Sequence, residues 1–449
     1  MRRASTRLRF LSLCAAASIT FITSSGFARD PKRLPGAIAF IDTDGNLDYL
    51  SAQADEPRCL TCPQSTLRTR VSSSVRPIAA IGGLEAKDLQ IHTTYLLPTF
   101  SRDGKRLAYA SQEVSGSDST SALWLYDLAT RQPIKIFESD TGRIIYIYWL
   151  PDERRLSFLV SDPSGLTLML ADAKESSPIR IVTTGLPIFF DWGAAKNRLA
   201  IHSTAINSSH TEQVALINLT PTDQKIDRVL ERGYSPFRTP SWSPDGKHLA
   251  YVGNEHGAID LLITDSDGQN PRSIAKLPTG ETSFIWAPDS RHIAYSTAPN
   301  RPEPVYHGIK LAGIDESNIR SLTANDTAAF FFAPDSRHLA YVGVPPNKPY
   351  YTWHVVDLGS GADRDLGNFL STSEESIAYS YFDQLAVSHT IWAPDSSAFV
   401  YAGVRLQGAP DRPLATTPPP MVWVVPVDGS APRAISTGVA AFFSPPAGN

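Results

Sequence analysis

One phrase that recurs along the chain constrains its fold more than any other feature. It reads aromatic residue, small residue, Pro-Asp, Gly or Ser, a basic pair and then Leu-Ala-Tyr, and its best copy runs from Trp242 to Tyr251. Successive copies are 43 to 60 residues apart. The leading aromatic residues are Phe100, Trp149, Trp192, Trp242, Trp286, Phe332 and Trp392. A sustained period of about 40–50 residues is the signature of a repeat architecture.

The phrase predicts a strand, a tight turn and a second strand. The aromatic residue ends the first strand, Pro fixes φ, Asp accepts backbone hydrogen bonds, and Gly closes the turn where φ is positive. Leu-Ala-Tyr then starts a strand with alternating faces. A further alternating run follows, as at 259–268, and then a short strand, as at 272–274. Four strands per repeat of about 40–50 residues is the spacing of β-propeller blades.

The ends of the chain indicate how the ring closes. Residues 37–42 match the second strand of a blade, whereas 441–446 match a first strand with nothing after it. We therefore expect the strand at 439–444 to pair with the strand at Ile38. Counting Phe443 gives eight aromatic residues and predicts an all-β propeller of about eight four-stranded blades; seven remain if the degenerate Trp192 unit is not a blade. The wide gap before Trp392 predicts an insertion.

The first 28 residues read as a secretory signal peptide. Four arginines precede an uncharged apolar stretch over 10–22, and small residues follow at 25–28. The apolar stretch is shorter than the roughly 20 residues that span a bilayer, and no later segment is long and apolar enough. We expect a periplasmic or secreted protein. The predicted organisation is a signal peptide (1–28), an N-terminal linker (29–36) and a single propeller domain (37–449).

Charge and cysteine content narrow the range of partners. Without residues 1–28 the chain keeps 37 of its 41 basic side chains against 45 acids, a net charge of -8. Such a chain has no basic surface of the kind that binds nucleic acids, so nucleic-acid binding is disfavoured.

Cys59 and Cys62 are the two cysteines that follow the predicted signal peptide. Haem attachment would need a His after the second Cys, and a thioredoxin-like redox pair would need to open a helix in a βαβ unit, but Pro63 follows Cys62 directly. An oxidising compartment favours a local disulfide between them.

The phrase Trp242-Ser243-Pro244-Asp245-Gly246 with its Leu-Ala-Tyr end resembles the TolB-type, WD-like propeller repeat. This repeat occurs in periplasmic TolB proteins and in the propellers of prolyl-oligopeptidase-type peptidases. The resemblance covers nearly the whole chain after the signal peptide. It implies the propeller fold strongly and the function weakly, because many activities occur on this fold.

Motifs that carry chemistry are absent from the sequence. There is no Gly-x-Ser-x-Gly, P-loop, dinucleotide fingerprint or His-Glu-x-x-His motif. His248, His292 and His338 share one repeat position that Arg fills in other blades, which indicates a strand position beside the turn. Further histidines without ligand spacing are His202, His210, His307, His354 and His389. We assign no metal ligands and no cofactor. Oligogalacturonate lyases, however, are propellers with similar repeats and a metal site that contains His. A divalent cation bound in the central channel therefore stays an alternative.

Long links between second and third strands indicate one elaborated face. Binding residues often lie on such loops, and a mixture of aromatic and polar residues is common at interfaces. The binding-loop candidates are Tyr306, His307, Tyr350, Tyr351 and Trp353. Polar residues before the inner strands give candidates for the channel mouth: Arg238, Glu281 and Asp326.

Two classes of function follow from the sequence. The preferred hypothesis is a monomeric, non-catalytic propeller that binds a protein partner or acts as a scaffold in the cell envelope. The competing hypothesis is an enzyme, either a metal-dependent lyase or hydrolase acting on oligosaccharides or a propeller subunit related to prolyl-oligopeptidase-type peptidases. An enzyme should have convergent polar groups in the central channel.

Overall fold

The computed structural model describes residues 33–62, 92–193, 197–204, 212–220, 223–232, 239–255, 258–298, 305–315, 318–410 and 416–446. These residues form thirty antiparallel strands and two short helices. The strands assemble into eight successive sheet units, which confirms the predicted all-β propeller of about eight four-stranded blades. The predicted signal peptide lies outside the described residues.

Blades 1 to 5 are separate four-stranded sheets. Blade 1 contains β1 (Ile38–Ile41), β2 (Leu47–Leu50), β3 (Arg58–Cys59) and, as its inner strand, the last strand of the chain. Blade 2 contains β4 (His92–Phe100), β5 (Arg106–Ser115), β6 (Asp118–Asp127) and β7 (Gln132–Ser139). Blade 3 contains β8 (Arg143–Trp149), β9 (Arg155–Asp162), β10 (Gly165–Asp172) and β11 (Arg180–Gly185). Blade 4 contains β12 (Ile188–Trp192), β13 (Arg198–Ser203), β14 (Gln213–Leu219) and β15 (Gln224–Arg232). Blade 5 contains β16 (Ser241–Trp242), β17 (His248–Glu255), β18 (Ala258–Asp265) and β19 (Arg272–Lys276).

Blades 6 to 8 are joined because the outer strand of one blade runs on into the inner strand of the next. Blade 6 contains β20 (Glu281–Trp286), β21 (His292–Ala298), β22 (Tyr306–Gly313) and the first half of β23 (Ile319–Phe332). The second half of β23 begins blade 7, which continues with β24 (His338–Gly343), β25 (Tyr351–Asp357) and β26 (Asp363–Ser371). Blade 8 contains β27 (Ala398–Arg405), β28 (Met421–Pro426) and β29 (Arg433–Thr437), and the last strand of the chain is β30 (Ala440–Phe443).

The recurring phrase forms the same turn in different blades. In blade 5 the Ser243 hydroxyl donates to the Asp245 carboxylate at 2.7 Å, and that carboxylate accepts the Lys247 backbone N–H at 3.1 Å. Gly246 has a φ of +70°, which a residue without Cβ adopts at no steric cost. We call the end of the blades that carries these turns the turn face. The opposite end, with the links between second and third strands and those leading into inner strands, is the loop face.

In several blades the aromatic residue of the phrase is hydrogen-bonded to the blade before it. The indole N–H of Trp149 donates to the Thr99 carbonyl at 3.1 Å, and that of Trp286 donates to the Ser241 carbonyl at 2.9 Å. Trp392 makes the equivalent bond at 3.0 Å to Phe331. These bonds satisfy the indole donors while their rings are buried between neighbouring blades. The repeat therefore specifies packing between blades as well as the turn.

The C-terminal strand pairs with the first strand of the chain. Ile38 lies opposite Phe443 and Ile41 opposite Ala440, in the antiparallel arrangement expected from the sequence. Beyond the strand, the Ser444 N–H donates to the Ala37 carbonyl at 2.8 Å. Blade 1 is thus built from both ends of the propeller domain.

Cys59 and Cys62 form a disulfide beside the outer strand of blade 1. Peptide mapping of the alkylated, unreduced protein should therefore find neither thiol labelled. Reduction should lower stability little, because only three positions separate the two cysteines and the loop-entropy contribution grows with loop length. Two labelled thiols would contradict the disulfide.

Candidate functional site

The predicted insertion before Trp392 is a helical segment that fills part of the central channel. It spans residues 372–389 and contains α1 (Ser373–Ser380) and α2 (Phe382–Leu385). The segment interrupts the inner strand of blade 8. Ser371 still pairs with Gly403, and the strand position resumes where Trp392 bridges Phe399. We call residues 372–389 the channel segment.

The channel segment contacts every blade. Its partners are Val439 and Phe442 in and beside the inner strand of blade 1, Thr99 in blade 2, Tyr146 in blade 3, Phe190 in blade 4, Thr239 beside the inner strand of blade 5, Tyr306 in blade 6, Phe330 in blade 7 and Ala402 in blade 8. A segment with partners around the whole ring lies on the propeller axis. The channel is therefore occupied by the chain itself on its loop-face side.

Gln384 holds the channel segment to blades 3 and 4. Its amide oxygen accepts the Phe190 backbone N–H at 2.9 Å, and its amide nitrogen donates to the Phe190 carbonyl at 2.7 Å. The Tyr146 hydroxyl donates to the Gln384 backbone carbonyl at 2.9 Å. The side-chain amide thus pairs with an inner strand as a neighbouring peptide group would, and leaves both backbone groups of Phe190 satisfied.

Glu375 fills the gap that the interruption leaves in blade 8. Its carboxyl oxygen accepts the Ala402 backbone N–H at 2.9 Å, between the paired positions Gly403 and Phe399. Thr372 caps α1 and accepts the Glu375 N–H at 3.1 Å, so the same helix end orients the side chain. Burial raises the pKa of Glu375 from 4.5 to about 8, and the hydrogen bond from Ala402 opposes that rise.

The raised pKa of Glu375 makes folding stability fall as the pH rises from about 4.5 to about 8. The folded state binds a proton that the unfolded state loses above pH 4.5, so this stability is complete below 4.5 and is lost as pH rises through about 8. Between pH 6.5 and 8 we expect Glu375→Gln to remove a slope of about 1 kcal/mol per pH unit from the free energy of unfolding. Urea denaturation across this range measures it, with the exposed neighbour in Glu374→Gln as control. Equal slopes in wild type and Glu375→Gln would contradict the assignment.

His389 is a buried neutral imidazole at the end of the channel segment. Its Nδ1 lies 2.7 Å from the Ser388 hydroxyl and its Nε2 lies 3.0 Å from the Thr99 hydroxyl. Because the Thr99 hydroxyl donates to the Leu97 carbonyl, the imidazole proton belongs on Nε2. Burial lowers the pKa of His389 to about 3, so the ring stays neutral at physiological pH. The contacts fix the channel segment to blade 2.

A cavity of about 350 Å³ remains in the channel on the turn-face side. Its wall is rich in aromatic side chains and is closed toward the loop face by the channel segment. Aromatic wall residues are Tyr148, Trp192, Trp242, Trp286, Phe331, Phe332 and Trp392, and the charged or titratable ones are Arg102, Asp191, Asp383 and His389. An adjoining cavity of about 190 Å³ shares Arg102 and His389.

Asp191 links three blades at the wall of the larger cavity. It accepts the Tyr148 hydroxyl from blade 3 at 3.1 Å, and the Trp242 N–H and the Ser241 hydroxyl from blade 5 at 2.8 and 3.3 Å. Burial raises the pKa of Asp191 from 3.8 to about 6, against the opposing effect of these hydrogen bonds. Its oxygens are engaged within the protein.

The structure places most of the predicted binding-loop residues in the core. Tyr306 and Trp353 are each 1% exposed, and Tyr350 is 7% exposed. Tyr351 is half-buried and packs against Tyr379. Only Tyr351 and His307, also half-buried, present appreciable side-chain surface on the loop face. Aromatic residues at the start of a third strand are drawn between blades because burying their large rings is favourable.

Two of the predicted channel-mouth residues, Glu281 and Asp326, have different partners. Glu281 accepts the Tyr306 hydroxyl at 3.0 Å, whereas Asp326 pairs with His307 in blade 6. Both lie on the loop face, away from the cavity on the turn face. Arg238 lies outside the described residues.

The histidines have separate local partners. Among those in the repeat position, His292 pairs with Asp289 and His338 with Asp335 beside their own turns, while His248 faces the Thr264 carbonyl. The others pair as His202 with Glu212, His307 with Asp326 and His354 with Asp363. Within the described ranges, no three His, Cys, Asp or Glu side chains are grouped as metal ligands would be. His210 lies outside those ranges.

Two features of the channel, the helix start at Thr372 and the buried carboxyl group of Asp191, were not predicted although the sequence contains signals for them. Thr372 and Glu375 have the spacing of a capping box, which marks a helix start inside the insertion. Asp191 is an acid within the otherwise apolar run at 188–192, and a carboxylate inside an inner strand has to be satisfied by neighbouring blades.

Comparisons with known proteins find short similarities to repeat-bearing proteins. A segment of 84 residues is 36% identical to the Tol-Pal system protein TolB of Hydrogenovibrio crunogenus and covers 19% of each chain. Another of 67 residues is 31% identical to the uncharacterized peptidase YuxL of Bacillus subtilis, covering 15% of this chain and 10% of that protein. The matched part thus spans at most about a fifth of these relatives. No family model matches the chain.

Comparison with solved structures finds similarities at low sequence identity. An oligogalacturonate lyase from Vibrio parahaemolyticus is 13% identical, with a TM-score of 0.45 over 91% of this chain and 98% of that one. TolB from Acinetobacter baumannii is 16% identical, with a TM-score of 0.38 over 75% of this chain and 81% of that one. In the part of the chain that the structure describes, no helix is long and apolar enough to cross a membrane.

Proposed function

We propose that this protein is a non-catalytic, TolB-like binding propeller of the cell envelope, periplasmic or secreted, which docks a protein partner on its loop face. The observation that carries the proposal is the distribution of exposed apolar side chains. Of the eight large apolar residues exposed in the described part of the chain, five lie on the loop face. These five are Val114, Ile145, Leu186, Ile377 and Tyr381.

The five residues come from the parts of the fold that define this face. Val114 lies at the end of a second strand, Ile145 and Leu186 lie at the entry to inner strands, and Ile377 and Tyr381 belong to the channel segment. Ile377 is 61% exposed and Leu186 is 64% exposed. Exposed apolar surface of this kind is typical of protein interaction sites. The half-buried His307 and Tyr351 would contribute polar groups to the rim of the same surface.

Binding is supported over catalysis by the state of the polar groups along the channel. The side chains of Gln384, Glu375, His389 and Asp191 are all committed to hydrogen bonds within the chain. Gln384, Glu375 and His389 hold the channel segment in this way, and Asp191 holds neighbouring blades together. A general acid or base, in contrast, needs to reach a substrate proton.

The test is capture of a partner with variants that change one surface at a time. The loop-face variant is Ile377→Ser/Tyr381→Ser, and its matched control is Ile181→Ser/Ile319→Ser, which alters equally exposed residues on outer strands. We expect a partner from periplasmic extract to be retained by wild type and control and lost by the loop-face variant. The affinity of the purified partner should fall at least about tenfold in that variant.

Two outcomes contradict the proposal. One is equal retention of the partner by both variants, which would place binding elsewhere. The other is turnover of oligosaccharides or peptides by the purified wild-type protein with no partner captured, which would establish the enzyme hypothesis instead.

A further inference from the structure

In the blade 2 phrase, Arg102 stands beside the channel where other phrases have proline. In the blade 5, 6, 7 and 8 phrases the corresponding residues are Pro244, Pro288, Pro334 and Pro394. Blade 2 nevertheless forms the same turn, because Ser101 donates to Asp103 at 2.6 Å and Asp103 accepts the Lys105 N–H at 3.1 Å. The turn therefore does not require arginine.

Arg102 is shared by the two turn-face cavities. Arg102 lines both of them and is exposed, and it has no hydrogen bond or ion pair within the described residues. The other polar side chains that line the larger cavity are already engaged. Tyr148 and Ser241 donate to Asp191, Ser243 donates to Asp245, and Thr390 donates to the Trp392 carbonyl. Arg102 is thus the cation that a ligand in this cavity would meet.

We propose that the turn-face cavity binds a small monocarboxylate with a flat apolar body, whose carboxylate pairs with Arg102 and whose body packs against the aromatic wall. A guanidinium offers two parallel N–H donors that match a carboxylate, and this geometry gives orientation as well as affinity. The volume of about 350 Å³ is at the small end of the range for small-molecule sites. This site is separate from the loop face and independent of the proposed protein binding.

The charges around the cavity favour one negative charge over two. Asp191 and Asp383 also line it, so its only lining guanidinium already balances acidic groups among the described residues. The Arg102 charge acts on Asp191 and opposes the rise of its pKa. A phosphate dianion would add two negative charges to a cavity that already holds two carboxyl groups, whereas a monocarboxylate would add one.

The test uses phenylacetate and 2-naphthoate as probes, their uncharged amides and inorganic phosphate as controls, and calorimetry together with tryptophan fluorescence as readouts. The variants are Arg102→Gln, Arg102→Pro, which restores the repeat residue, and Arg154→Gln, which changes an exposed arginine in the blade 3 turn outside the cavity. We expect carboxylate binding to wild type and to Arg154→Gln, and a loss of about tenfold or more in both Arg102 variants.

Each alternative result overturns the proposal. Failure of every carboxylate to bind wild type at millimolar concentration would show that the cavity takes no such ligand. Equal binding to Arg102→Gln would remove the role of the guanidinium. Amide probes that bind as well as the acids, or phosphate that binds better, would exclude the monocarboxylate class. Unchanged thermal melting of the Arg102 variants keeps any loss of binding distinct from misfolding.

Discussion

Deleting residues 438–449 should abolish the cooperative folding of the propeller. The deletion removes β30, whose Phe443 and Ala441 are 1% and 0% exposed, and leaves the whole of β1 without its inner neighbour. Loss of a single buried Phe side chain costs about 3–5 kcal/mol, and a domain has only about 5–15 kcal/mol in total. We expect the truncated protein to aggregate or to unfold without a sharp transition, as followed by circular dichroism and urea denaturation.

The physical reason lies in the edge that the deletion exposes. An unpaired strand presents a row of N–H and C=O groups, and in a closed ring the two neighbouring blades also lose their packing surface. Deleting only residues 445–449 is the matched control, because it keeps β30 and the bond from Ser444 to Ala37. That shorter truncation should melt close to wild type. If the longer truncation also melted like wild type, pairing between the chain ends would not hold the domain together.

The repeat carries nearly all of the information that made the fold predictable. Each phrase encodes its own turn, as with Ser243 and Asp245, and its own contact with the preceding blade, as with Trp286 and Ser241. These contacts recur at the same positions within the phrase, so one good copy is enough to interpret the degenerate ones. The Trp192 unit has lost most of the phrase yet forms a full blade, because neighbouring blades supply the packing surface on both sides.

The channel was not predictable in the same way because its contacts do not repeat. Gln384 meets Phe190 across 194 positions, and His389 meets Thr99 across 290. No local pattern records such pairs. The same limit explains the binding-loop candidates, since the chain around Tyr306 and Trp353 resembles an exposed loop in sequence whereas their rings lie between blades. In the sequence Arg102 is only a departure from the proline of the repeat, and its significance depends on the cavity.

Phe382→Ala should destabilise the whole propeller, because the channel segment packs as part of its core. The Phe382 ring is fully buried, and its centroid lies 4.5 Å from that of Phe330 and 5.9 Å from that of Tyr306. Removing such a ring leaves a cavity and costs about 3–5 kcal/mol. Ile377→Ala in the same segment is the matched control: Ile377 is 61% exposed, so the change should stay within about 0.5 kcal/mol.

The comparison distinguishes a core element from a removable lid. If the channel segment is a core element, urea denaturation should show one transition, displaced to lower urea for Phe382→Ala and unchanged for Ile377→Ala. A lid would instead open locally at low free energy, and Phe382→Ala would then leave the main transition in place while proteolysis cut within 372–389. Contacts of this segment with every blade favour the first result. It can leave the channel only by breaking the hydrogen bonds of Gln384 to the inner strand of blade 4 and of Glu375 to the second strand of blade 8.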